Sequence, residues 1–218
     1  MKVAVVTANL GKFDREVDYV DQTVPYDFHR FTDHNFPPRN RAMSPRLQAR
    51  IAKMFHWQMV PDYDYYIWVD SSFALLHKDS VAWLLEQCED VDIAVLKHPM
   101  RDTISEEADY IKERLAKKCK YITPRYENEM VDEQLAEIAA YKSFVDNSLF
   151  ASTVFVYRNS EKMQHMMKEW WYHTSRYHSV DQLSFPFVLW QYKARVNVIP
   201  TKKHHDFKIP YLTLTRYL

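Results

Sequence analysis

A single glycine, Gly11, occurs among the 218 residues of this chain. The dinucleotide-binding fingerprint and the P-loop both need several glycines, because their backbones must turn tightly against phosphate groups. Neither loop can form in this sequence. Any phosphate that the protein binds must therefore be held by side chains, by helix N-termini or by a metal ion.

Short apolar runs alternate with longer amphipathic segments along the chain. The runs predict strands at 2–10, 26–34, 63–70, 91–99, 152–158 and 195–200, and the segments predict helices at 44–60, 78–89, 105–119, 131–144, 160–177 and 180–192, the last interrupted by Pro186. Ser44 followed by Pro45 is typical of a helix start. The alternation predicts an α/β fold with a mixed, mostly parallel sheet of about six strands flanked by helices.

Length and composition limit the classes of protein to consider. With 47% hydrophobic residues the chain can bury one substantial core, so we expect one domain over residues 1–218. The 29 basic and 29 acidic residues cancel, which argues against nucleic acid as a partner. Cys88 and Cys119 predict free thiols in a reducing compartment, and no apolar run has the length of a membrane span. We therefore expect a soluble, cytoplasmic protein.

Polar residues at strand ends are the first candidates for a site, because open α/β sheets bind ligands outside the carboxyl ends of their strands. Asp62 and Asp64 precede a predicted strand, as do Asp90 and Asp92, so we expect both pairs to be solvated turn residues at the opposite edge. The residues at or just after the carboxyl ends of predicted strands are Thr7, Asn9, Thr32, Asp33, Asp70, His98, Arg101 and Asp102.

Asp70 ends the bulky run "YYIWVD" and has two interpretations. A carboxylate at a strand end can bind a hard divalent cation that neutralises a diphosphate, since oxygen ligands suit Mg²⁺ and Mn²⁺. Alternatively, its side chain caps the turn through the amides of Ser71 and Ser72, as Asp commonly does. Position alone does not separate the two.

Three stretches, "IWVDSSFAL", "KHPMRDTISEEADYI" and "WWYHTSRYHSVDQLSFPFVLW", resemble one family of glycosyltransferases with the GT-A fold. This glycosyltransferase-like group includes plant enzymes of pectin and mucilage synthesis and many bacterial and viral proteins, and the likeness extends to capsid-glycosylating enzymes of large algal viruses. It covers roughly residues 45 to 192. For a viral chain, the cytoplasm would be that of the host.

The resemblance implies a nucleotide-sugar donor, most simply a UDP-sugar, bound with Mn²⁺ or less favourably Mg²⁺, and a glycan or glycoprotein acceptor. GT-A enzymes usually carry Asp-x-Asp at this place, whereas this chain has Ser72 in the second position. A metal at Asp70 would then need another ligand, and the resemblance suggests His204 or His205 near the C-terminus. The alternative is that these histidines are ordinary surface residues.

Arginines on one helix could bind the diphosphate. Arg46 and Arg50 lie one turn apart, and Arg offers forked donors to phosphate oxygens. The alternative is a solvated basic face that Lys53 completes. Four short polar side chains at two strand ends are candidates for binding the base of the nucleotide: Thr7, Asn9, Thr32 and Asp33.

The remaining candidates come from the matched stretches. Arg101 and Asp102, with His98, could bind donor-sugar hydroxyls, or Arg101 and Asp102 could form a local ion pair that opens the next helix. Asp181 would be the general base of an inverting enzyme, and Asp181 or Gln182 would stabilise the charged transition state of a retaining one; the alternative for Asp181 is a helix N-cap. The predicted acceptor contacts are Trp171, Arg176 and Tyr177, although we expect at least one of the neighbouring tryptophans to pack in the core.

Two other functions are compatible with these residues. A glycoside hydrolase needs two carboxylates within about 5 to 10 Å of each other, and Asp181 and Asp102 are the candidates for that pair. A non-catalytic carbohydrate- or nucleotide-sugar-binding module would explain the missing second Asp. Hydrolysis without a nucleotide sugar identifies the first, and binding without transfer identifies the second.

Overall fold

The computed structural model describes residues 1–11, 14–38, 40, 42–201 and 209–215. Its strands are β1 (Val3–Asn9), β2 (Asp27–Thr32), β3 (Tyr65–Val69), β4 (Phe73–Ala74), β5 (Ile93–Lys97), β6 (Phe150–Arg158), β7 (Val196–Ile199) and β8 (Thr213–Leu214). Its helices are α1 (Pro45–Met59), α2 (Ser80–Gln87), α3 (Ile104–Ala116), α4 (Thr123–Tyr126), α5 (Val131–Ala140), α6 (Glu161–Arg176) and α7 (Phe185–Gln191). A short 3₁₀ turn spans Asp181–Leu183.

Six strands form the central sheet in the order β2-β1-β3-β6-β5-β7. The β6 strand is antiparallel to both of its neighbours, and the other adjacent strands pair in parallel. The mixed, mostly parallel sheet predicted from the sequence is therefore confirmed. The short strands β4 and β8 pair separately as a two-stranded antiparallel sheet.

Alternating residues of the central strands face two different core layers, as strand geometry requires. Val6 and Trp68 belong to the layer that contains Met54 and Trp170 from α1 and α6. Val5 and Ile67, their neighbours in sequence, belong to the layer built with α2. Helices therefore cover both faces of the sheet, which agrees with the predicted architecture.

The first helix begins as its sequence predicts, and the last one does not. The Ser44 hydroxyl accepts a hydrogen bond from the Leu47 amide at 3.2 Å, with Pro45 in the first turn of α1. The predicted interruption at Pro186 is wrong. The break between the 3₁₀ turn and α7 falls at Ser184, and Pro186 lies in the first turn of α7, where a missing N–H costs nothing.

Within the described ranges, no helix is long and apolar enough to cross a lipid bilayer. Cys88 and Cys119 are both unpaired thiols.

Candidate active site at the carboxyl edge of the sheet

The parallel strands β1, β2, β3, β5 and β7 all end at one edge of the central sheet, called here the carboxyl edge. Asp64 and Asp92 lie at the opposite, amino edge. The Asp64 carboxylate accepts a hydrogen bond from the Lys2 amide at 2.7 Å, and that of Asp92 from the Arg195 amide at 2.8 Å, next to the starts of β1 and β7. The prediction that Asp64 and Asp92 lie at the edge opposite Asp70 is confirmed.

A cleft of about 360 Å³ opens at the carboxyl edge, next to the ends of β1 and β3. Of the residues predicted for the site, Asn9, Arg46, Arg50 and Asp70 line it. The other lining residues are Ala8, Leu10, Asp14, Ala49, Trp68, Ser71, Ser72, Tyr121 and Arg125. This cleft is the candidate donor site.

Asp70 lies on the wall of the cleft with one of its oxygens already engaged. Its Oδ1 accepts a hydrogen bond from Trp68 Nε1 at 2.6 Å and lies 3.4 Å from Lys53 Nζ. Its side chain is 22% exposed. The next residue, Ser71, donates to Asp14 Oδ2 at 2.5 Å, so two carboxylates line the same cleft. The side chain of Asp70 is thus held by Trp68 and Lys53.

A buried charge cluster extends from Asp70, its outermost member, into the interior of the protein. It consists of Arg50, Lys53, Asp70, Asp181 and Ser152 of β6. Lys53 Nζ lies 2.8 Å from Asp181 Oδ2, and Arg50 Nε lies 3.0 Å from the same oxygen as an ion pair without hydrogen-bond alignment. Lys53 Nζ also donates to Ser152 Oγ at 3.1 Å, and Ser152 Oγ donates to Asp181 Oδ1 at 2.9 Å.

The electrostatic balance of this cluster determines the protonation of Asp181. Burial alone would raise the pKa of its carboxyl, but Arg50 and Lys53 outweigh burial, and the pKa is lowered from its usual value. Asp181 is therefore ionised, and it is not among the residues that line the cleft in the described part of the chain. A buried carboxylate with a lowered pKa is a weak proton acceptor, so this geometry favours a role in fixing Arg50 and Lys53.

Arg46 fixes the chain segment that forms a second wall of the cleft. Its Nη2 donates to Ser179 Oγ at 2.7 Å and to the Arg125 carbonyl at 2.8 Å, while its guanidinium packs over the Tyr126 ring at 4.2 Å. Glu129 Oε1 lies 3.6 Å away. Arg46 therefore holds the 121–126 segment, and with it Arg125, against the cleft.

The four predicted base-binding residues divide into two groups. Asn9 lines the cleft, and Thr7 lines a small adjoining cavity of about 20 Å³. Thr32 and Asp33 shape the turn after β2, where Asp33 Oδ2 accepts a hydrogen bond from the Gly11 amide at 2.9 Å. Gly11 has a φ of 82°, a conformation that glycine adopts without a steric penalty. The single glycine thus connects the ends of β1 and β2.

The predicted donor-sugar residues lie at the end of β5, where each has a partner in the protein. His98 Nδ1 accepts from the Arg101 amide at 3.0 Å, and burial lowers the pKa of the His98 imidazole, so the ring is neutral near pH 7. Asp102 forms an ion pair with Lys97 at 2.9 Å. Arg101 pairs with the buried carboxylate of Glu107.

Glu107 also joins Gln182 to this group. Its Oε1 accepts a hydrogen bond from Gln182 Nε2 at 2.6 Å, while its other oxygen contacts Arg101. The helix that follows is opened by Thr103 and Glu106, whose side chains form a capping box at the start of α3. The structure therefore brings Arg101 and Gln182 together through a glutamate that the sequence analysis did not single out.

The predicted acceptor residues all lie on or just after α6 and none lines the cleft in the described structure. Trp171 packs edge-to-face against Phe55, with ring centroids 5.9 Å apart. Tyr177 is buried, and its hydroxyl contacts Glu137. Arg176 lies over the Tyr177 ring at 5.1 Å. The expectation that a neighbouring tryptophan packs in the core is confirmed by Trp170, which stacks on Phe185 at 4.0 Å.

The donor atoms around Asp70 do not fit a divalent metal within the described ranges. No group of three or more His, Cys, Asp or Glu side chains in these ranges could hold a metal ion. Asp70 Oδ1 already has an indole donor and an ammonium neighbour. His204 and His205, the other predicted ligands, lie outside the described residues.

Sequence analysis missed Lys53, Asp14, Glu107 and Arg125. The alternative of a solvated basic face that includes Lys53 is wrong, because the Lys53 side chain is 0% exposed. Its spacing from Arg46 and Arg50 gave a signal, since positions i, i+4 and i+7 share one helix face. Asp14 and Arg125 lie outside the predicted strands and helices, so no strand-end rule selects them.

Comparisons with known proteins agree with this architecture. The model of the TOD1/MUCI70 glycosyltransferase-like domain family matches residues 39–208. No curated protein sequence matches the chain at a significant level.

Solved structures with a similar fold include WbbM, described as a bifunctional glycosyltransferase, at a TM-score of 0.51 and 14% identity over 90% of this chain and 38% of that one. A glycosyltransferase involved in glycosylation of the major capsid of PBCV-1 gives a TM-score of 0.47 at 9% identity, over 91% and 81% of the two chains. Mouse xyloside xylosyltransferase 1 gives 0.43 at 11%, over 80% and 63%. This chain thus spans less than two thirds of WbbM and of the mouse enzyme. The predicted GT-A-like fold is confirmed.

Proposed function

The chain belongs to the TOD1/MUCI70 glycosyltransferase-like family and is a glycosyl-transferring enzyme, and we propose that it transfers a sugar from a UDP-sugar to a glycan or glycoprotein. We further propose that residues 1–218 act as one transferase domain. The free thiols of Cys88 and Cys119 support a reducing, cytoplasmic location.

The observation that supports this proposal most directly is the composition of the cleft. Arg46, Arg50 and Arg125 line it together with Asp70 and Asn9, at the edge of the sheet where α/β proteins bind their ligands. A cleft of about 360 Å³ lies in the range of sites for small ligands. Its combination of guanidinium, carboxylate and amide groups suits a ligand that carries phosphates, hydroxyls and a polar base.

The chemical requirement of glycosyl transfer is stabilisation of the departing nucleoside diphosphate, where negative charge develops. Arg50 and Arg125 are the residues proposed to meet it, because Arg can bind two phosphate oxygens at once. Asp181 keeps Arg50 in place through the 3.0 Å ion pair. In this proposal Asp181 therefore acts as a positioning residue, and the general-base role that the resemblance implied for it stays a prediction.

Other residues have narrower proposed roles. Asp70 would accept hydrogen bonds from donor hydroxyls, and the Asn9 amide would contact the uracil. His98, Arg101, Asp102 and Gln182 remain predictions for the donor sugar and the reaction centre, as do Trp171, Arg176 and Tyr177 for the acceptor. The Mn²⁺ or Mg²⁺ implied by the resemblance also stays a prediction, and no step of this proposal depends on it.

Calorimetric titration with UDP, GDP and CMP tests the proposal. We expect UDP to bind most tightly and Arg125→Gln to weaken its binding by about tenfold, the loss of one charge-assisted contact. Arg195→Gln is the matched control, since Arg195 lies at the amino edge and is exposed. Absence of UDP binding in every buffer would refute the proposed donor, and UDP binding without turnover of any UDP-sugar would identify a binding module.

A further inference from the structure

Lys53 occupies an unusual environment for a lysine. Its side chain is 0% exposed, and its ammonium lies within 3.4 Å of two carboxylates, those of Asp70 and Asp181. Lysine is almost never fully buried unless it is paired. Its ring neighbours are Trp68 and Trp170, whose centroids lie 5.7 and 5.8 Å from Nζ. The ammonium is thus fixed between the residue predicted to hold a metal and the residue predicted to act at the reaction centre.

The charges of the buried cluster are already balanced. Two cations, Arg50 and Lys53, face two carboxylates, Asp70 and Asp181, and the three ion pairs that they form span 2.8 to 3.4 Å. A divalent cation bound to Asp70 would lie a few ångströms from the fixed ammonium, and like charges repel strongly where water is excluded. A cation bound to Oδ1 would also compete with Trp68 Nε1 and Lys53 for that oxygen.

The cleft itself supplies the positive charge that a diphosphate needs. Arg46, Arg50 and Arg125 line it, and only the carboxylates of Asp14 and Asp70 oppose them among the described lining residues. Of those two carboxylates, that of Asp70 has part of its negative charge offset by the Lys53 ammonium on its buried side. Arg50 contacts Asp181 through Nε, and a guanidinium has five N–H donors, so Arg50 and Arg125 can still donate to an anionic ligand and hold it with protein groups alone.

We propose that Lys53 is a positioning residue that supplies, as a permanent ammonium, the charge that a metal ion would otherwise place beside Asp70, and that UDP binds without a divalent cation. This inference rests on the proposed function, because it concerns the same donor site. In this arrangement Asp70 and Asp181 are held in place by Lys53, and the arginines of the cleft bind the diphosphate.

The first test is calorimetry of the unmodified full chain with UDP, once in EDTA and once with Mn²⁺. We expect the two dissociation constants to agree within about twofold, a difference too small for a metal that bridges protein and diphosphate. UDP binding that requires Mn²⁺ would overturn this inference and leave the proposed function intact. No UDP binding under either condition would refute the proposed donor, and this inference with it.

The second test uses Lys53→Met, with Lys78→Met as the matched control. Lys78 is exposed and pairs only with Asp79 in the described contacts. We expect Lys53→Met to weaken UDP binding in EDTA by about tenfold or more and Mn²⁺ to restore part of it, because Asp70 and Asp181 lose their shared cation. A purely structural role would weaken binding equally with and without Mn²⁺, and that result would overturn the role assigned to Lys53.

The wild-type comparison does not depend on whether Lys53→Met folds. The same comparison of UDP binding in EDTA and in Mn²⁺ is repeated with a variant that lacks His204 and His205, which lie outside the described residues. If Mn²⁺ strengthens UDP binding in the wild type and fails to do so in the His204→Ala/His205→Ala double variant, the histidines complete a metal site and the inference is overturned. Equal binding in EDTA and Mn²⁺ in both proteins supports it.

Discussion

The two edges of the central sheet each carry an aspartate held by two cations, but the cations differ in burial. At the amino edge, Asp92 pairs with Lys162 at 2.5 Å and with Arg195 at 3.4 Å, and the side chains of these cations are 40% and 66% exposed. At the carboxyl edge, Asp181 pairs with Lys53 and Arg50, whose side chains are 0% and 16% exposed. The charges are the same in number and sign.

Burial, and not the number of charges, separates a structural ion pair from a candidate functional one at these two edges. At the surface, water screens the charges of Lys162 and Arg195, so Asp92 mainly fixes the starts of β5 and β7. Behind the cleft, Lys53 and Asp181 have lost almost all of their water, and each depends on the charges next to it. The expectation that Asp92 is a solvated turn residue is wrong, because its side chain is 16% exposed and paired.

Removal of a lysine at each edge should show the largest effect. We expect Lys53→Met to lower the free energy of unfolding by about 3–5 kcal/mol, because it leaves the buried carboxylate of Asp181 with Arg50 as its one cation and removes the ammonium next to Asp70. Lys162→Met, its counterpart at the amino edge, should cost less than about 1 kcal/mol. Urea denaturation of the two variants and the wild type measures both values. Equal losses would show that burial does not distinguish the edges.

Acid should weaken the buried cluster in a defined direction. The pKa of Asp181 is lowered in the folded protein because Arg50 and Lys53 outweigh the effect of burial. Its contribution to stability is therefore present above the pKa of an unfolded aspartate, about 3.9, and is lost as the pH falls through the lower, folded value.

The measurement is the free energy of unfolding of the wild type minus that of Asp181→Asn, followed from pH 7 downwards. We expect the difference to be constant down to about pH 4 and then to shrink, since only the wild type loses the ionised carboxylate. Asp92→Asn should show the same direction with a smaller amplitude, because the pKa of Asp92 is also lowered, chiefly by Lys162 against the effect of burial. A difference that grows in acid would contradict the charge balance proposed here.

Salt should produce the smallest effect and act on one edge only. In 1 M NaCl the Debye length is about 3 Å, so the exposed contact between Lys162 and Asp92 is largely screened. We expect the stability cost of Lys162→Met to disappear in this buffer, whereas that of Lys53→Met persists. Thermal unfolding at low and high salt compares them. If salt erased both costs, water would have access to the buried cluster.

Much of the fold could be predicted because its signals are local. Ser44 and Pro45 mark the start of α1, and the predicted run 63–70 contains the observed strand β3 with two extra residues at its start and one at its end. The pairing of β4 with β8 could not be predicted, because each strand has two residues and the two strands are far apart in the sequence. Short strands of this kind leave no periodic pattern in the sequence.

The site was predictable in part for the same reason. Helical spacing placed Arg46 and Arg50 on one face, and the strand-end rule placed Asn9 and Asp70 at the correct edge. Spacing does not tell what covers a helix face, so the burial of Lys53 under Ser152 and Asp181 could not be derived. The role of Arg125 depends on contacts between distant segments, such as the hydrogen bond from Arg46 to its carbonyl.

A crystal structure of the protein with UDP would locate the diphosphate. We expect it to lie in the cleft at the carboxyl edge, within hydrogen-bond distance of Arg50 and Arg125, with the buried ion pair between Lys53 and Asp181 unchanged. UDP bound elsewhere, or bound in the cleft with its phosphates away from both arginines, would contradict this expectation.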